Sequence, residues 1–267
     1  QAVCDREEIK REFYELLSSL TGMRPPWGTL TGVRPLKPAL EMCRAGSVKR
    51  MECEVKDKYL LSDQKASLLA DIAEYQLSYV RGIPWEKASL YIGIPFCPTR
   101  CAYCSFASNV ASAEARETYL EDLLKEIEYA GHLAKEHGTE LESIYIGGGT
   151  PTTLSGSQLE RLINAVSSSY KVDPAGIEFT VEAGSPDTIT KEKLETLKRL
   201  GIARISINPQ SMKDETLRLI GRDHIADDIR EGFRIARETG FDVINADLIA
   251  GLPEENISDF GSSLKEI

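Results

Sequence analysis

The sequence has little that would suit a membrane, a nucleic acid or a secreted protein. Among its 267 residues, no apolar run approaches the roughly 18 residues that a membrane span requires. The formal net charge of −10 argues against general binding to nucleic acid or anionic membranes, although it permits a local basic pocket. Residues 1–13 lack the apolar segment of a signal peptide. We therefore expect a cytoplasmic protein with no membrane span and no nucleic-acid partner.

The sequence has too few cysteines for a disulfide-rich protein, and half of them are concentrated in one short stretch. Of six cysteines, three form a C-x3-C-x2-C array after a short apolar run, and Cys4, Cys43 and Cys53 are scattered. This usage fits a reducing compartment better than a disulfide framework. An odd number of clustered thiols suits neither paired disulfides nor a four-ligand zinc site. Three thiolates can hold a [4Fe–4S] cluster and leave one iron open for another ligand.

The residues alone leave two other interpretations of this array open. One is a zinc site completed by a histidine or a distant cysteine, and the other is a set of buried thiols without a ligand. No cysteine follows the array, and His132 and His137 fall on a predicted helix. These observations favour the cluster, with Cys97, Cys101 and Cys104 as its metal ligands.

Residues 1–86 are predicted to form a mostly helical N-terminal region. Helical patterns cover 5–20, 38–46 and 62–82, with Ser62 as the N-cap of the last helix. The Gly- and Pro-rich stretch 21–38 is predicted to be a loop. Its Arg24, Arg34 and Lys37 could face an acidic ligand, but a connector with solvated charges is the simpler interpretation. The boundary to the next domain is expected near residues 83–85.

Residues 87–267 alternate between strand and helix patterns and predict an α/β fold. Short apolar runs occur at 90–94, 143–146, 177–181, 203–207 and 243–249, with helical stretches at 113–136, 157–169, 190–200, 226–239 and from 256 onward. Five such βα units predict a parallel sheet. A Rossmann sheet is the alternative to a barrel, but no G-x-G-x-x-G opens a helix. The last residues read as a helix, so we expect a C-terminally incomplete piece of a longer protein.

Polar or glycine-rich segments are predicted where strands end, which is where such sheets bind ligands. Residues 147–151, GGGTP, follow the second strand and leave backbone groups open to close approach by a ligand. They are not a P-loop, because the Gly-Lys-Ser/Thr ending is missing. Four polar residues are also expected at strand ends, namely Glu182, Gln210, Arg222 and Asp247. A carboxylate within the apolar run of Asp247 needs a partner or a role.

These motifs together resemble one family. YIGIPFCPTRCAYCSF at 91–106, GGGTPT at 147–152, Glu182, SINPQ at 206–210, GRDH at 221–224 and ADLIAGLP at 246–253 are similar to the oxygen-independent coproporphyrinogen III oxidases, which are radical S-adenosylmethionine (SAM) enzymes. PPWGTLTGVRP at 25–35 and RISINPQSM at 204–212 look most like its HemZ branch, coproporphyrinogen dehydrogenase. The resemblance covers about residues 20–260.

The resemblance implies a partial (β/α)6 radical SAM barrel with a cysteine-bound [4Fe–4S] cluster and one or possibly two SAM molecules. A one-electron reductant such as a flavodoxin or ferredoxin would drive SAM cleavage to a 5′-deoxyadenosyl radical. That radical would start the decarboxylation of coproporphyrinogen III propionates to vinyl groups, giving protoporphyrinogen IX in haem biosynthesis. The cofactor supplies the chemistry and the protein supplies its placement.

The family's motifs carry specific residues over to this sequence. Tyr91, Tyr103, Gly148 and Glu182 would contact SAM. Gly149, Thr150, Gln210, Arg222 and Asp247 would line the same cavity, and the planar guanidinium of Arg222 suits a carboxylate.

Two departures bear on the reaction. Gly93 stands where founding members of the family have histidine, and Phe106 replaces a fourth cysteine. The resulting C-x3-C-x2-C-x-F form also resembles the haem-chaperone branch, whose members bind haem without oxidase activity. The predictions are therefore an oxidase, with a haem chaperone on the same scaffold as the alternative. Relatives have six barrel strands and a C-terminal domain over the substrate, so this chain alone is expected to be incomplete as a catalyst.

Overall fold

The computed structural model describes residues 5–30, 34–44, 47–80 and 83–267. The chain divides into two compact units, Gln1–Pro84 and Trp85–Ile267. Cys4 and the predicted helix ends at 45–46 and 81–82 lie outside the described residues. No helix in the described ranges is both long enough and apolar enough to cross a membrane.

The first unit is helical, as the sequence predicts. Its helices are α1 (Arg6–Thr21), α2 (Leu36–Arg44), α3 (Val48–Tyr59) and α4 (Asp63–Val80). Ser62 caps α4, because its hydroxyl accepts a hydrogen bond from the Lys65 amide at 3.4 Å. Ala66, Leu69 and Ala73 of α4 pack with buried residues of α2 and α3 in a small core.

The loop cations of this unit are solvated. Arg24, Arg34 and Lys37 are all exposed, and Arg24 pairs with Glu15 on α1. This is the arrangement expected of a connector with solvated charges. Exposed ion pairs of this kind contribute little to stability, so they give no reason to assign a ligand to the loop.

Five parallel strands form the sheet of the second unit, in the order β1-β2-β3-β4-β5. They span Lys87–Ile94 (β1), Glu140–Gly148 (β2), Glu178–Glu182 (β3), Arg204–Gln210 (β4) and Val243–Leu248 (β5). A Rossmann sheet would not keep its strands in sequential order, so that alternative is wrong. Within the described residues β1 and β5 do not pair with each other. The sheet is thus an open, partial barrel.

Six helices accompany these strands. They are α5 (Ala113–Glu136), α6 (Gly156–Tyr170), α7 (Lys191–Arg199), α8 (Asp214–Leu219), α9 (Ala226–Thr239) and α10 (Ile257–Glu266). The predicted strand–helix alternation is confirmed. The six-residue α8 was not predicted, and it separates Arg222 from the end of β4. The expectation that Arg222 lies at a strand end is therefore wrong: it follows α8 instead.

Side-chain alternation along the strands separates the core from the opposite face of the sheet. In β2, Ile144 and Ile146 are buried in a core with α6, whereas Tyr145 between them is only half-buried. Successive side chains of a strand point to opposite faces, so Tyr145 faces away from that core. Tyr91 is paired with Tyr145 in the β1–β2 register and shares its face.

Asp247 has a polar partner, as a carboxylate within an apolar run requires. It lies in β5, which is an edge strand of the described sheet, and it is exposed. Its carboxylate accepts a hydrogen bond of 3.0 Å from the Asn245 side chain. The carboxylate thus has a hydrogen-bond partner and is also solvated, because β5 is an edge strand of the described sheet.

Candidate functional site

A cavity of about 570 Å³ lies at the carboxyl ends of the strands. Its lining includes all twelve residues that the sequence singled out, namely Tyr91, Cys97, Cys101, Tyr103, Cys104, Gly148, Gly149, Thr150, Glu182, Gln210, Arg222 and Asp247. A slightly larger groove of about 720 Å³ runs between α5 and α6, but none of these residues reaches it. Chain segments far apart in sequence therefore meet at one site.

The loop that carries the cysteines is held by backbone hydrogen bonds. The Cys97 amide donates to the Asn109 carbonyl at 3.1 Å, and the Asn109 amide donates to Pro95 at 2.9 Å, so the loop closes on itself. The Ala102 amide donates to the Ile220 carbonyl at 2.9 Å, which joins the loop to the end of α8. The loop is thus fixed at its base and near its middle.

All three cysteine side chains are half-buried at the cavity wall. The Thr150 hydroxyl lies 3.7 Å from Cys97 Sγ in donor geometry, the long distance expected for sulfur. Among the described residues, no group of three or more His, Cys, Asp or Glu side chains is placed to hold a single metal ion. Three thiols around one cavity suit a cluster, in which each thiolate binds a different iron.

The glycine segment brings β2 against the cysteine loop. The Gly149 amide donates to the Ile94 carbonyl at 2.8 Å, and the Thr150 amide donates to Phe96 at 2.7 Å. A Cβ on Gly149 would lie 2.5 Å from the Phe96 carbonyl oxygen and 3.0 Å from Cys97 Sγ. Gly148 has a φ of 106°, a conformation that side chains disfavour. These positions need glycine because the two segments approach so closely.

Two tyrosines and a glutamate form one wall of the cavity. The rings of Tyr91 and Tyr145 stack with centroids 5.9 Å apart and planes inclined by 10°. The Tyr145 hydroxyl donates to the carboxylate of Glu182, the last residue of β3. The sequence predictions named Tyr91 and Glu182 but missed Tyr145. The period of two along β2 could have indicated it, since Tyr145 precedes Gly147 on the same face.

Partial burial shifts the pKa values of the titratable side chains in this wall. Burial raises the pKa of Glu182, and the nearby negative charge of Asp247 adds to this effect. Hydrogen bonds from Tyr145 and the Gly148 backbone act in the opposite direction. Burial and the hydrogen bond to Glu182 raise the pKa of Tyr145, which therefore stays protonated and remains a donor.

Gln210 ends β4 in an irregular backbone. The β4–β5 register shifts between Ile207 and Gln210, and Gln210 has a φ of 70°. This bulge, which contains Pro209, turns the end of the strand into the cavity. Asn208 also lines the cavity and was missed in the sequence, and its side-chain oxygen accepts a 2.8 Å hydrogen bond from Ser206.

Arg222 enters the cavity from the segment after α8. Its two terminal nitrogens donate to the Gly184 carbonyl at 3.3 Å and to the Tyr103 hydroxyl at 3.0 Å. Its Nε is buried and has no protein partner among the described residues. Burial raises the pKa of Tyr103, whereas the charge of Arg222 opposes that shift. Each terminal nitrogen keeps a second N–H group, so the guanidinium suits an anionic group of a ligand.

Comparisons with known proteins agree with this site. The family model of the Radical SAM superfamily matches residues 91–267, the part of the chain that holds the cavity. The structure is similar to coproporphyrinogen III oxidase (HemN) from Escherichia coli, with a TM-score of 0.62 and 31% identity over 72% of this chain and 44% of that one.

Two relatives in Bacillus subtilis differ in the extent of their similarity. The oxygen-independent coproporphyrinogen-III oxidase-like protein HemZ is 40% identical over 98% of this chain and 53% of its own length. The heme chaperone HemW is 39% identical over 66% of this chain and 46% of its own length. The chain spans about half the length of these curated relatives. It belongs to the Radical SAM superfamily, among the relatives of HemN, HemZ and HemW.

Proposed function

We propose that this chain is part of a radical SAM enzyme of anaerobic haem biosynthesis. The reaction is the oxidative decarboxylation of coproporphyrinogen III propionates to vinyl groups, which gives protoporphyrinogen IX. The observation that carries the proposal is the single cavity in which three thiols, the glycine segment, Glu182 and Arg222 come together. The similarity to HemZ over 98% of the chain supports the choice of reaction.

The cavity residues fit the cofactors that membership of the superfamily implies. Cys97, Cys101 and Cys104 would hold a [4Fe–4S] cluster, and the cavity that they line together with Gly149 would admit a ligand next to it. Cluster and SAM together, when bound, supply a radical that can take a hydrogen atom from a substrate carbon. The protein's own part is to hold, orient and shield the reacting groups.

Each polar residue suits one part of SAM. The Glu182 carboxylate accepts hydrogen bonds, so it can take a hydroxyl or ammonium group, and Tyr145 fixes its direction. The rings of Tyr91 and Tyr103 and the backbone at Gly148 would complete the SAM contacts. We assign these contacts to the SAM molecule that lies against the cluster.

A second set of residues is available to a further ligand. Arg222 would hold a carboxylate through the second N–H groups of its terminal nitrogens, which no group among the described residues uses. Gly149, Thr150, Gln210 and Asp247 complete this part of the lining. A second SAM or a propionate of the tetrapyrrole would both offer the carboxylate. A one-electron reductant such as a flavodoxin or ferredoxin would be the protein partner.

A haem chaperone on the same scaffold is the competing function. Phe106 lines the cavity where the founding oxidases have a cysteine, and HemW is 39% identical to this chain. The HemW similarity leaves out a third of the chain, whereas the HemZ similarity includes nearly all of it. This difference in coverage favours the oxidase.

The test is an anaerobic incubation of the reconstituted full-length protein with coproporphyrinogen III, SAM and a reductant. We expect carbon dioxide release together with protoporphyrinogen IX, and no product from the Cys101→Ala variant because its cluster is lost. Stable haem binding without decarboxylation would reject the oxidase and support the chaperone. Iron and sulfide contents that Cys101→Ala leaves unchanged would refute the ligand assignment.

A further inference from the structure

His224 is an unusual residue next to the cavity. It is 3% exposed, and neither ring nitrogen has a hydrogen-bond partner among the described residues. A buried polar group without a partner is costly, so its position calls for an explanation. Its Nδ1 lies 3.8 Å from Oδ1 of Asp187, a distance that a small rotation of either side chain would shorten to a hydrogen bond.

Asp187 connects His224 to the cavity. It lies in the turn after β3, and its Oδ1 also accepts a hydrogen bond from the Ser185 hydroxyl. Burial alone would raise the pKa of Asp187, but the nearby His224 ring, the Ser185 hydroxyl and its own backbone amide lower it. Asp187 is therefore an ionised acceptor, and Ser185 must be the donor of the hydrogen bond between them.

Ser185 lines the cavity, is 6% exposed and follows Gly184, whose carbonyl binds Arg222. A serine hydroxyl has one proton, and that of Ser185 is used by Asp187. The lone pairs of its oxygen remain, so Ser185 can only accept a hydrogen bond from a ligand. This gives the cavity a fixed acceptor close to a guanidinium.

We propose that His224 is a positioning residue that acts through Asp187 to hold Ser185 as a hydrogen-bond acceptor for an N–H or O–H group of the bound ligand. Its position two residues after Arg222 places both on one segment, so the contacts Arg222–Gly184 and His224–Asp187 join that segment to the turn after β3. The ligand class is one with an ammonium, amino or hydroxyl donor, and the inference rests on SAM being that ligand.

The test measures SAM binding by calorimetry to the reconstituted full-length protein. Ser185→Ala removes the acceptor and should weaken binding about tenfold, the usual effect of losing a hydrogen bond to a charged donor. His224→Phe should weaken binding by up to the same factor. His224→Asn should restore it, because the asparagine amide can occupy the place of Nδ1.

A double-mutant cycle separates positioning from a general structural role. If His224 acts through Ser185, His224→Phe should have no further effect in the Ser185→Ala background. Additive losses, or wild-type affinity in folded Ser185→Ala, would overturn the proposal. Thr216→Val is the control, because Thr216 is also buried with an unpartnered hydroxyl but does not line the cavity. It should bind SAM as the wild type does.

Methylthioadenosine identifies the donor on the ligand. It lacks the amino-acid part of SAM. If Ser185→Ala weakens the binding of SAM but not that of methylthioadenosine, the contact belongs to the ammonium group. An equal loss with both ligands assigns it to the ribose or the adenine. Wild-type protein with an intact cluster and no affinity for SAM would reject the proposed function, and this inference with it.

Discussion

Tyr145 is a residue at which one atom can be tested separately from the rest of the side chain. Tyr145→Phe keeps the ring that stacks on Tyr91 and removes the hydroxyl that binds Glu182. We expect SAM to bind about tenfold more weakly, because the carboxylate loses the group that orients it. Calorimetric titration of the reconstituted protein measures the effect.

Tyr129→Phe provides the matched control for that substitution. Tyr129 is on α5, is 66% exposed and does not line the cavity, so its variant should bind SAM with wild-type affinity. Equal affinities for all three proteins would show that Glu182 does not need the Tyr145 hydroxyl.

The ionisation of Glu182 predicts how binding depends on pH. Burial raises its pKa above the ordinary carboxyl value, so as pH falls the carboxylate becomes protonated earlier than an exposed glutamate does. SAM binding should therefore weaken as pH falls through the raised pKa. Glu182→Gln should bind weakly and lose this part of the pH profile. A profile that is identical in both proteins would contradict the assignment of Glu182 to SAM.

The raised pKa of Glu182 also predicts how the stability of the folded protein depends on pH. The folded protein binds a proton at Glu182 more tightly than the unfolded chain does. The stability linked to this proton is fully present below the ordinary pKa and is lost as pH rises through the raised pKa. Urea unfolding of wild type and Glu182→Gln across this window measures the difference.

At the scale of elements, the junction between β2 and the cysteine loop is the most constrained part of the site. A Cβ on Gly149 would overlap the Phe96 carbonyl oxygen at 2.5 Å, so Gly149→Ala must push the two segments apart. We expect the iron and sulfide contents of the reconstituted variant to fall to less than half. Gly261→Ala on α10 is the control, because nothing lies within 4 Å of its Cβ. Full cluster content in Gly149→Ala would mean that the loop tolerates displacement.

The elements that sequence predicted best were those with a clear hydrophobic period. Helices α5 and α9 were predicted with their observed bounds, and all five strands were found. Helix α3 was missed because only Met51 and Val55 are buried in a segment rich in lysine and glutamate. An apolar pattern of two residues is too short to distinguish a helix from a loop.

The site residues also differ in how well the sequence predicts them. The twelve predicted residues lie in motifs of family-specific spacing, and the cavity contains them all. Tyr145, Asn208 and the pair Asp187–His224 were not predicted, because their importance depends on partners far away in the sequence. The Tyr145–Glu182 hydrogen bond joins residues on two different strands. Contacts of this kind follow from tertiary structure: the period of two along β2 places Tyr145 on the face of Gly147 but does not identify its partner.

At the scale of the whole chain, the division into two units predicts where function is located. All cavity residues belong to Trp85–Ile267, and Gln1–Pro84 has a core of its own. We expect a truncated protein that lacks only residues 1–84 to keep the iron and sulfide contents of the full-length protein and its affinity for SAM. Loss of the cluster in a folded truncated protein would show that the first unit supports the site.

The positive φ of Gln210 predicts that one substitution there has opposite effects on stability and on ligand binding. A φ of 70° costs a residue with a side chain about 1 kcal/mol, and glycine avoids that cost. Gln210→Gly should therefore raise the free energy of unfolding by up to about 1 kcal/mol while weakening ligand binding. Lys171 has a φ of 54° at the end of α6, away from the cavity, so Lys171→Gly should gain stability without losing affinity. The end of β4 therefore holds, in a backbone conformation that glycine would adopt without strain, a residue whose side chain lines the cavity.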